Sequence, residues 1–145
     1  MDFNITLEAG HKIEKEFASR MLAKYDGIER VEFAPNYQFK DWDIKITRNW
    51  KDVYYECKRD YKSQETWNIS LEFRHNWKPS WIYASKADII VYCPEPWAFY
   101  RQDRWELLFR LSKVDKWITE WWDNDKSDMF LISKDKIDYL FHKLN

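Results

Sequence analysis

The chain opens on helical spacing and then changes period. Residues 6–25, TLEAGHKIEKEFASRMLAKY, put Gly10, Ile13, Phe17 and Met21 on one side of a 3.6-residue repeat. That spacing predicts an amphipathic helix, closed by the turn signal Asp26-Gly27. A period of two follows. Residues 29–33 (ERVEF), 37–47 (YQFKDWDIKIT), 52–59 (DVYYECKR) and 67–74 (WNISLEFR) alternate, or are β-branched and aromatic, and predict strands. Ala34-Pro35-Asn36 reads as a turn and Arg48-Asn49-Trp50-Lys51 as a hairpin loop. Within 81–93, the ADIIVYC end is continuously apolar, the mark of a buried strand, and Pro94-Glu95-Pro96 breaks it. Residues 97–101 (WAFYR) predict another strand, and Asp103 can cap a helix running through Leu111. A short helix is predicted over 115–122 (DKWITEWW), a strand over 129–133 (MFLIS), and a last helix from Ser133 to about Leu144. A helix, a block of strands and a mixed remainder make an α/β (α+β) domain: a central mixed β-sheet flanked by helices, spanning 1–145 as a single unit.

Composition narrows the class. A chain of 145 residues can bury roughly 68–70% of its unfolded surface. With 45% hydrophobic and 34% charged residues it reads as a soluble globule. No apolar run approaches the ~20 residues of a membrane span, and MDFNITLEAGHKIEKEF lacks the pattern of a secretory signal. Cys57 and Cys93 are too few for a disulfide framework and lack metal-ligand spacing, so a reducing, cytoplasmic setting is expected. The net charge of −1 excludes a purely electrostatic grip on nucleic acid; such a partner needs a local basic patch or stacking. Ten Trp, nine Tyr and nine Phe stand against two Gly. Core packing and strand propensity account for most of the rings.

Three acid-x-lysine pairs occur: Asp43/Lys45, Glu56/Lys58 and Asp60/Lys62. Glu56 and Lys58 lie inside a strand-like run, where a period of two turns both side chains to one face. A cross-strand ion pair on a solvated sheet is the plain explanation. The other rests on Asp43, which a hairpin pairing 43–47 with 53–58 brings beside Glu56. Two converging carboxylates suit a hard divalent cation such as Mg²⁺, with the backbone carbonyl of Cys57 as a further oxygen. Such a cation lowers the pKa of a bound water and neutralises phosphodiester charge; Lys58 would orient that water and stabilise the transition state. Glu14 adds an independent clue, since it falls near the centre of the helix's apolar stripe. An acid there is costly unless paired or metal-bound. It either pairs with a lysine at the stripe edge or points at the sheet as a third carboxylate.

Glu14, Asp43 and Glu56-Cys57-Lys58, in that order, resemble the PD-(D/E)XK nuclease superfamily over about residues 8–93. WNISLEF and SWIYASKADIIVYC are similar to segments of its small phage- and archaeal-type members. The resemblance implies a restriction-endonuclease-like fold and Mg²⁺- (or Mn²⁺-) dependent hydrolysis of phosphodiester bonds. It assigns metal binding to Asp43 and Glu56, catalysis to Lys58 and support to Glu14. The chain departs from the pattern in three places. Lys40 and Trp42 flank Asp41 and Asp43 with no proline, and Asp41 shares the parity of Asp43. Asp60 stands where many relatives carry glutamine, and Trp81 where similar sequences carry glycine.

Further candidates surround this set. Asn68, Ser70 and Glu72 share a strand face; Glu72 either approaches the metal, holds Lys58 or faces solvent. Ser85 and Asp88 either support the site loop or serve a turn. Arg59, Lys62, Arg74, His75 and Lys78 form either a phosphate-gripping edge or a solvated surface. His11, a turn before Glu14, either touches substrate or is a half-exposed helix residue. Trp67, Trp77 and Trp81 would stack on unpaired bases if exposed, while Trp117, Trp121 and Trp122 pack a helix or form an oligomer contact. The expected activity is nuclease, on DNA in preference to RNA. Two other functions compete: a non-catalytic nucleic-acid-binding module of the same fold, and an interaction protein using exposed tryptophans. Many relatives form homodimers.

Overall fold

The computed structural model describes residues 12–36, 39–123 and 125–145. In chain order the elements are α1 (Lys12–Lys24), β1 (Ile28–Phe33), β2 (Ile44–Arg48), β3 (Lys51–Arg59), α2 (Ser63–Thr66), β4 (Asn68–His75) and β5 (Lys78–Pro79). They continue with β6 (Ile89–Glu95), β7 (Ala98–Asp103), α3 (Arg104–Leu111), β8 (Trp117–Asp123), β9 (Asp125–Ser133), α4 (Ile137–Leu140) and β10 (His142–Lys143). The result is α+β, with two sheets in place of the single central sheet expected. A six-stranded sheet runs β1-β2-β3-β6-β7-β10, and a four-stranded one runs β5-β4-β9-β8. The first is mixed because β3 and β6 pair in parallel while its other neighbours are antiparallel.

The six-stranded sheet is covered on both faces, and period two decides which residue goes where. Tyr55 and Cys57 of β3, with Val91 and Cys93 of β6, turn toward α1 and meet its Phe17, Ala18 and Met21. Phe17 lies against Tyr55 (5.3 Å between ring centroids) and Phe99 (5.6 Å). Ile90 and Tyr92 turn the other way, into a second core with Ile69, Leu71 and Phe73 of β4, Phe130 and Ile132 of β9, and Leu107 and Leu111 of α3. Glu56 and Lys58 pair with Ile90 and Tyr92 and share their face, toward the second sheet.

Several boundaries differ from the sequence expectation. Residues 115–122 do not form a helix: Trp117–Asp123 is an edge strand paired with β9. Ile, Thr and three Trp in seven residues favour an extended backbone, and the β9 hairpin supplies its hydrogen bonds. Trp117 and Trp122 are accordingly exposed. The strand expected over 37–47 begins only at Ile44, and Tyr37 and Gln38 lie outside the described residues. Residues 6–11 of the first helix, including His11, also lie outside them. Pro94 does not end β6, which continues to Glu95 because the register shifts between Tyr92 and Glu95 spare the missing N–H. Asp103 caps α3 as expected, accepting from the N–H of Trp105 (3.0 Å) and Glu106 (3.1 Å). Ser133 makes no such bond, and the last helix shrinks to a 3₁₀ turn at 134–136 followed by the four-residue α4.

Candidate functional site

The site is built where β2 leaves the sheet. The Asp43 N–H still donates to Tyr55 O at 2.8 Å. One step further along, the partner of the Cys57 N–H is a side chain: Asp43 Oδ2, at 2.7 Å. Asp43 thus replaces the missing backbone of β2. Backbone groups of β3 alternate sides. Tyr54 and Asp60 bond toward β6, through Asp88 N to Tyr54 O (2.8 Å) and Asp60 N to Cys93 O (2.9 Å). By the same alternation, the carbonyl of Cys57 turns toward the β2 side, past the end of β2 and beside the Asp43 carboxylate.

Glu56 is the next residue in this corner, with the Asp43 carboxyl beside its own. Burial, first, and the Asp43 charge, second, push the Glu56 carboxyl up to about 9, with a smaller push from Glu14. The Ser85 hydroxyl, close to Glu56, opposes the shift. Ser85 is itself buried, and fixed by Asp41 O (3.3 Å) and the Ala87 N–H (3.0 Å). Burial also holds the Cys57 thiol well above its ordinary range, reinforced by Asp43, Glu14 and Glu56. The thiol faces α1 and does not line the Asp43–Glu56 corner. Glu14 is buried on α1, on the opposite face of the sheet, and its charge reaches Glu56 and Cys57 from there. Asp43, Glu56 and Ser85 are thereby brought to one corner, while Glu14 stays behind the sheet and reaches it through its charge.

This corner opens into a cleft of about 540 Å³ that Asp43, Glu56 and Glu72 share with Lys40, His75 and Lys78. Glu72 accepts from Ser80 Oγ at 2.8 Å, and His75 Nδ1 lies 3.8 Å from its other oxygen. Sequence reasoning missed Lys40 and Ser80 as lining residues. Neither has a motif of its own, and only the closing of β2 and β5 over the cleft brings them in. Lys58 does not line this cleft. It lines an adjoining depression of about 190 Å³ with Lys62, Ser70 and Trp121, two residues or about 7 Å along β3 from Glu56.

Other assignments change. Arg59 was a candidate for substrate, but its Nη1 is spent on the carbonyls of Asp60 (3.1 Å), Cys93 (3.3 Å) and Pro94 (2.8 Å), and its guanidinium covers Tyr61. Arg74 is paired with Asp128, whose carboxyl it holds below the usual range. Lys62 lies over Trp121 at the rim of the adjoining depression, and of the five residues proposed as a phosphate-gripping edge His75 and Lys78 line the carboxylate cleft. Asn68 pairs with Ser133 at the far end of β4, away from the cleft. Asp41 lies outside β2, its carboxylate 3.8 Å from Lys86 Nζ, and does not compete with Asp43. Asp88 receives the Tyr54 N–H at 2.9 Å.

Asp60 has a structural task. Its buried carboxylate accepts from the N–H of Ser63 (3.2 Å), the N–H of Ser70 (2.9 Å) and the hydroxyl of Tyr92 (2.5 Å), tying the end of β3 to α2, β4 and β6. Asp60→Ala leaves three buried donors without this acceptor and is expected to cost about 3 kcal/mol. Urea unfolding measures it, and a loss below ~1 kcal/mol would show that the tie is dispensable.

The donor set fits a hard divalent cation: two neighbouring carboxyl groups, with Asp43 disfavouring the charge of Glu56, beside a peptide carbonyl. Among the described residues, no three His, Cys, Asp or Glu side chains form a ready metal cage. Mg²⁺ does not require one, being commonly held by one or two carboxylates and water. No helix among the described residues is long and apolar enough to cross a membrane. Compared with protein-family models, curated proteins and solved structures, the chain gives no match.

Proposed function

We propose that the protein is a Mg²⁺- or Mn²⁺-dependent nuclease of the PD-(D/E)XK type on a restriction-endonuclease-like fold, with DNA favoured over RNA. The observation that carries this reading is the meeting of Asp43 and Glu56 at the end of β2, with the Cys57 carbonyl turned to the same side. These three groups would hold the cation, which would supply an activated water and neutralise phosphodiester charge. Asp43 is fixed for this by the Cys57 N–H. Glu14 adds negative potential from behind. Lys40 and Lys78, at the cleft wall, attract the phosphate backbone. The Lys58 amine, reaching along β3, would orient that water and meet the developing charge. Strand separation between Glu56 and Lys58 is within the reach of a four-carbon side chain.

The test is incubation of the protein with circular, linear, single-stranded and branched DNA in Mg²⁺ or Mn²⁺. Cleavage is expected, lost with chelator and lowered at least ~10²-fold by Lys58→Ala. No cleavage of any substrate, or an unimpaired Lys58→Ala, overturns the reading. The position of Lys58 in the adjoining depression favours one competitor, a nucleic-acid-binding module without catalysis. It predicts binding that divalent cations do not convert to cutting.

A further inference from the structure

Eight described residues have φ in the left-handed region: Gly27, Asn49, Asn76, and five tryptophans, Trp50, Trp67, Trp77, Trp81 and Trp97. Asparagine and glycine are the residues expected there. Tryptophan is not, because its Cβ crowds the following carbonyl in this conformation. Half of the chain's ten tryptophans do it together.

Four of the five occupy places whose geometry asks for glycine in a specific way. Asn49-Trp50 links β2 to β3 with Arg48 paired to Lys51, and Asn76-Trp77 links β4 to β5 with His75 paired to Lys78. Both are two-residue hairpin loops with positive φ at both centres (51° and 65°; 48° and 64°), the type I′ form that Asn-Gly serves best. Pro96-Trp97 links β6 to β7 between Glu95 and Ala98, with φ 61° at Trp97. Proline followed by a positive-φ residue is the type II turn, which takes glycine second. Trp67 follows α2 at φ 58°, ψ 23°, its N–H returning to Ser63 O, which is the glycine position of a helix C-terminus.

Packing gives little reason for four of the rings: Trp77 meets Trp122 and Trp97 meets Phe99 edge-on at the surface, and Trp81 is the one that packs against a core. Trp50, Trp67, Trp77 and Trp97 are between 50% and 92% exposed. Trp81 is half-buried and its indole N–H is buried without a hydrogen-bond partner, a cost added to its φ of 41°. Trp42 is the contrast: its φ is ordinary, and it packs between Phe39 (5.0 Å) and Tyr54 (5.4 Å). Composition agrees. Average usage would give about ten glycines in a chain this long, and there are two. Gly27, the one described, sits at φ 80° where an added Cβ would lie 2.8 Å from Asn49 Oδ1.

We propose that Trp50, Trp67, Trp77, Trp81 and Trp97 are glycine positions: their codon is UGA, the stop codon that variant genetic codes read as tryptophan or as glycine, and the cell that makes this protein inserts glycine. One cause then accounts for the surplus of tryptophan, the deficit of glycine, and their coincidence at left-handed turns. The surface consequence is direct. Four exposed indoles disappear, and with them much of the case for a tryptophan contact surface. The wall of the carboxylate cleft, which Trp81 lines, opens.

Peptide masses of the protein isolated from its own cells decide the matter, together with the five codons in the gene. UGA codons and glycine masses at positions 50, 67, 77, 81 and 97 are expected, with UGG and tryptophan at 42. UGG codons, or tryptophan in those five peptides, overturn the proposal. Recombinant protein gives a second readout that is independent of any nuclease activity. The form carrying Trp50→Gly, Trp67→Gly, Trp77→Gly, Trp81→Gly and Trp97→Gly should melt roughly 10 °C or more above the tryptophan form, while Trp42→Gly should melt below it. A five-glycine form no more stable than the tryptophan form also overturns it.

Discussion

Glu56→Gln should lose divalent-cation binding and reduce DNA cleavage at least ~10²-fold, with the fold retained. The substitution keeps the size of the side chain and its place beside Ser85, and removes the negative charge that a cation needs. Asp43→Asn should behave alike in cleavage but not in stability. Asp43 Oδ2 is the acceptor for the Cys57 N–H, and an amide oxygen can still fill that place only while its nitrogen is turned to Glu56. Calorimetric titration with Mn²⁺ and a time course on plasmid DNA separate the two effects. Glu56→Gln cutting at the parent's rate would remove Glu56 from the site.

The second large effect is on stability as a function of pH. The Glu56 carboxyl ordinarily titrates near 4.5 and is raised to about 9 in the fold by burial and by Asp43. Between those values the folded state holds a proton that the unfolded state has released. The stabilisation is therefore complete below about 4.5 and is lost as pH climbs toward 9, with a slope of up to about 1.4 kcal/mol per pH unit. Other shifted groups act outside this window: Tyr55 (about 12) and Cys93 (about 11) above it, Asp128 below it. Urea midpoints measured in chelator from pH 5 to 9 should fall with rising pH. Saturating Mg²⁺ should flatten the profile by replacing the bound proton, and Glu56→Gln should flatten it without metal. A flat profile for the parent protein in chelator would contradict the account.

What the sequence disclosed follows from how local each cause is. The α1 face, the β2–β3 hairpin and the Asp103 cap each depend on residues close along the chain, and the periodicities expose them. The same holds for Asp43 and Glu56, because a short hairpin sets their register. Trp117–Asp123 was illegible because its strand state depends on pairing with β9, and a tryptophan-rich stretch of seven reads equally as a packed helix. The second sheet, which pairs β4 with β9 across more than fifty residues, is likewise set by distant contacts. Charge gives no hint of partner, so Arg59 and Arg74 looked available for phosphate although carbonyls and Asp128 occupy them. Lys58 was placed on the right face by parity, yet parity does not say which of two adjoining hollows its amine enters.

A crystal of the protein soaked in Mn²⁺ and measured at the manganese absorption edge tests the central claim most directly. An anomalous peak bonded to Asp43, Glu56 and the Cys57 carbonyl at the end of β2 is expected. Those carboxyl groups side by side with no manganese between them at saturating concentration would contradict a cation site there.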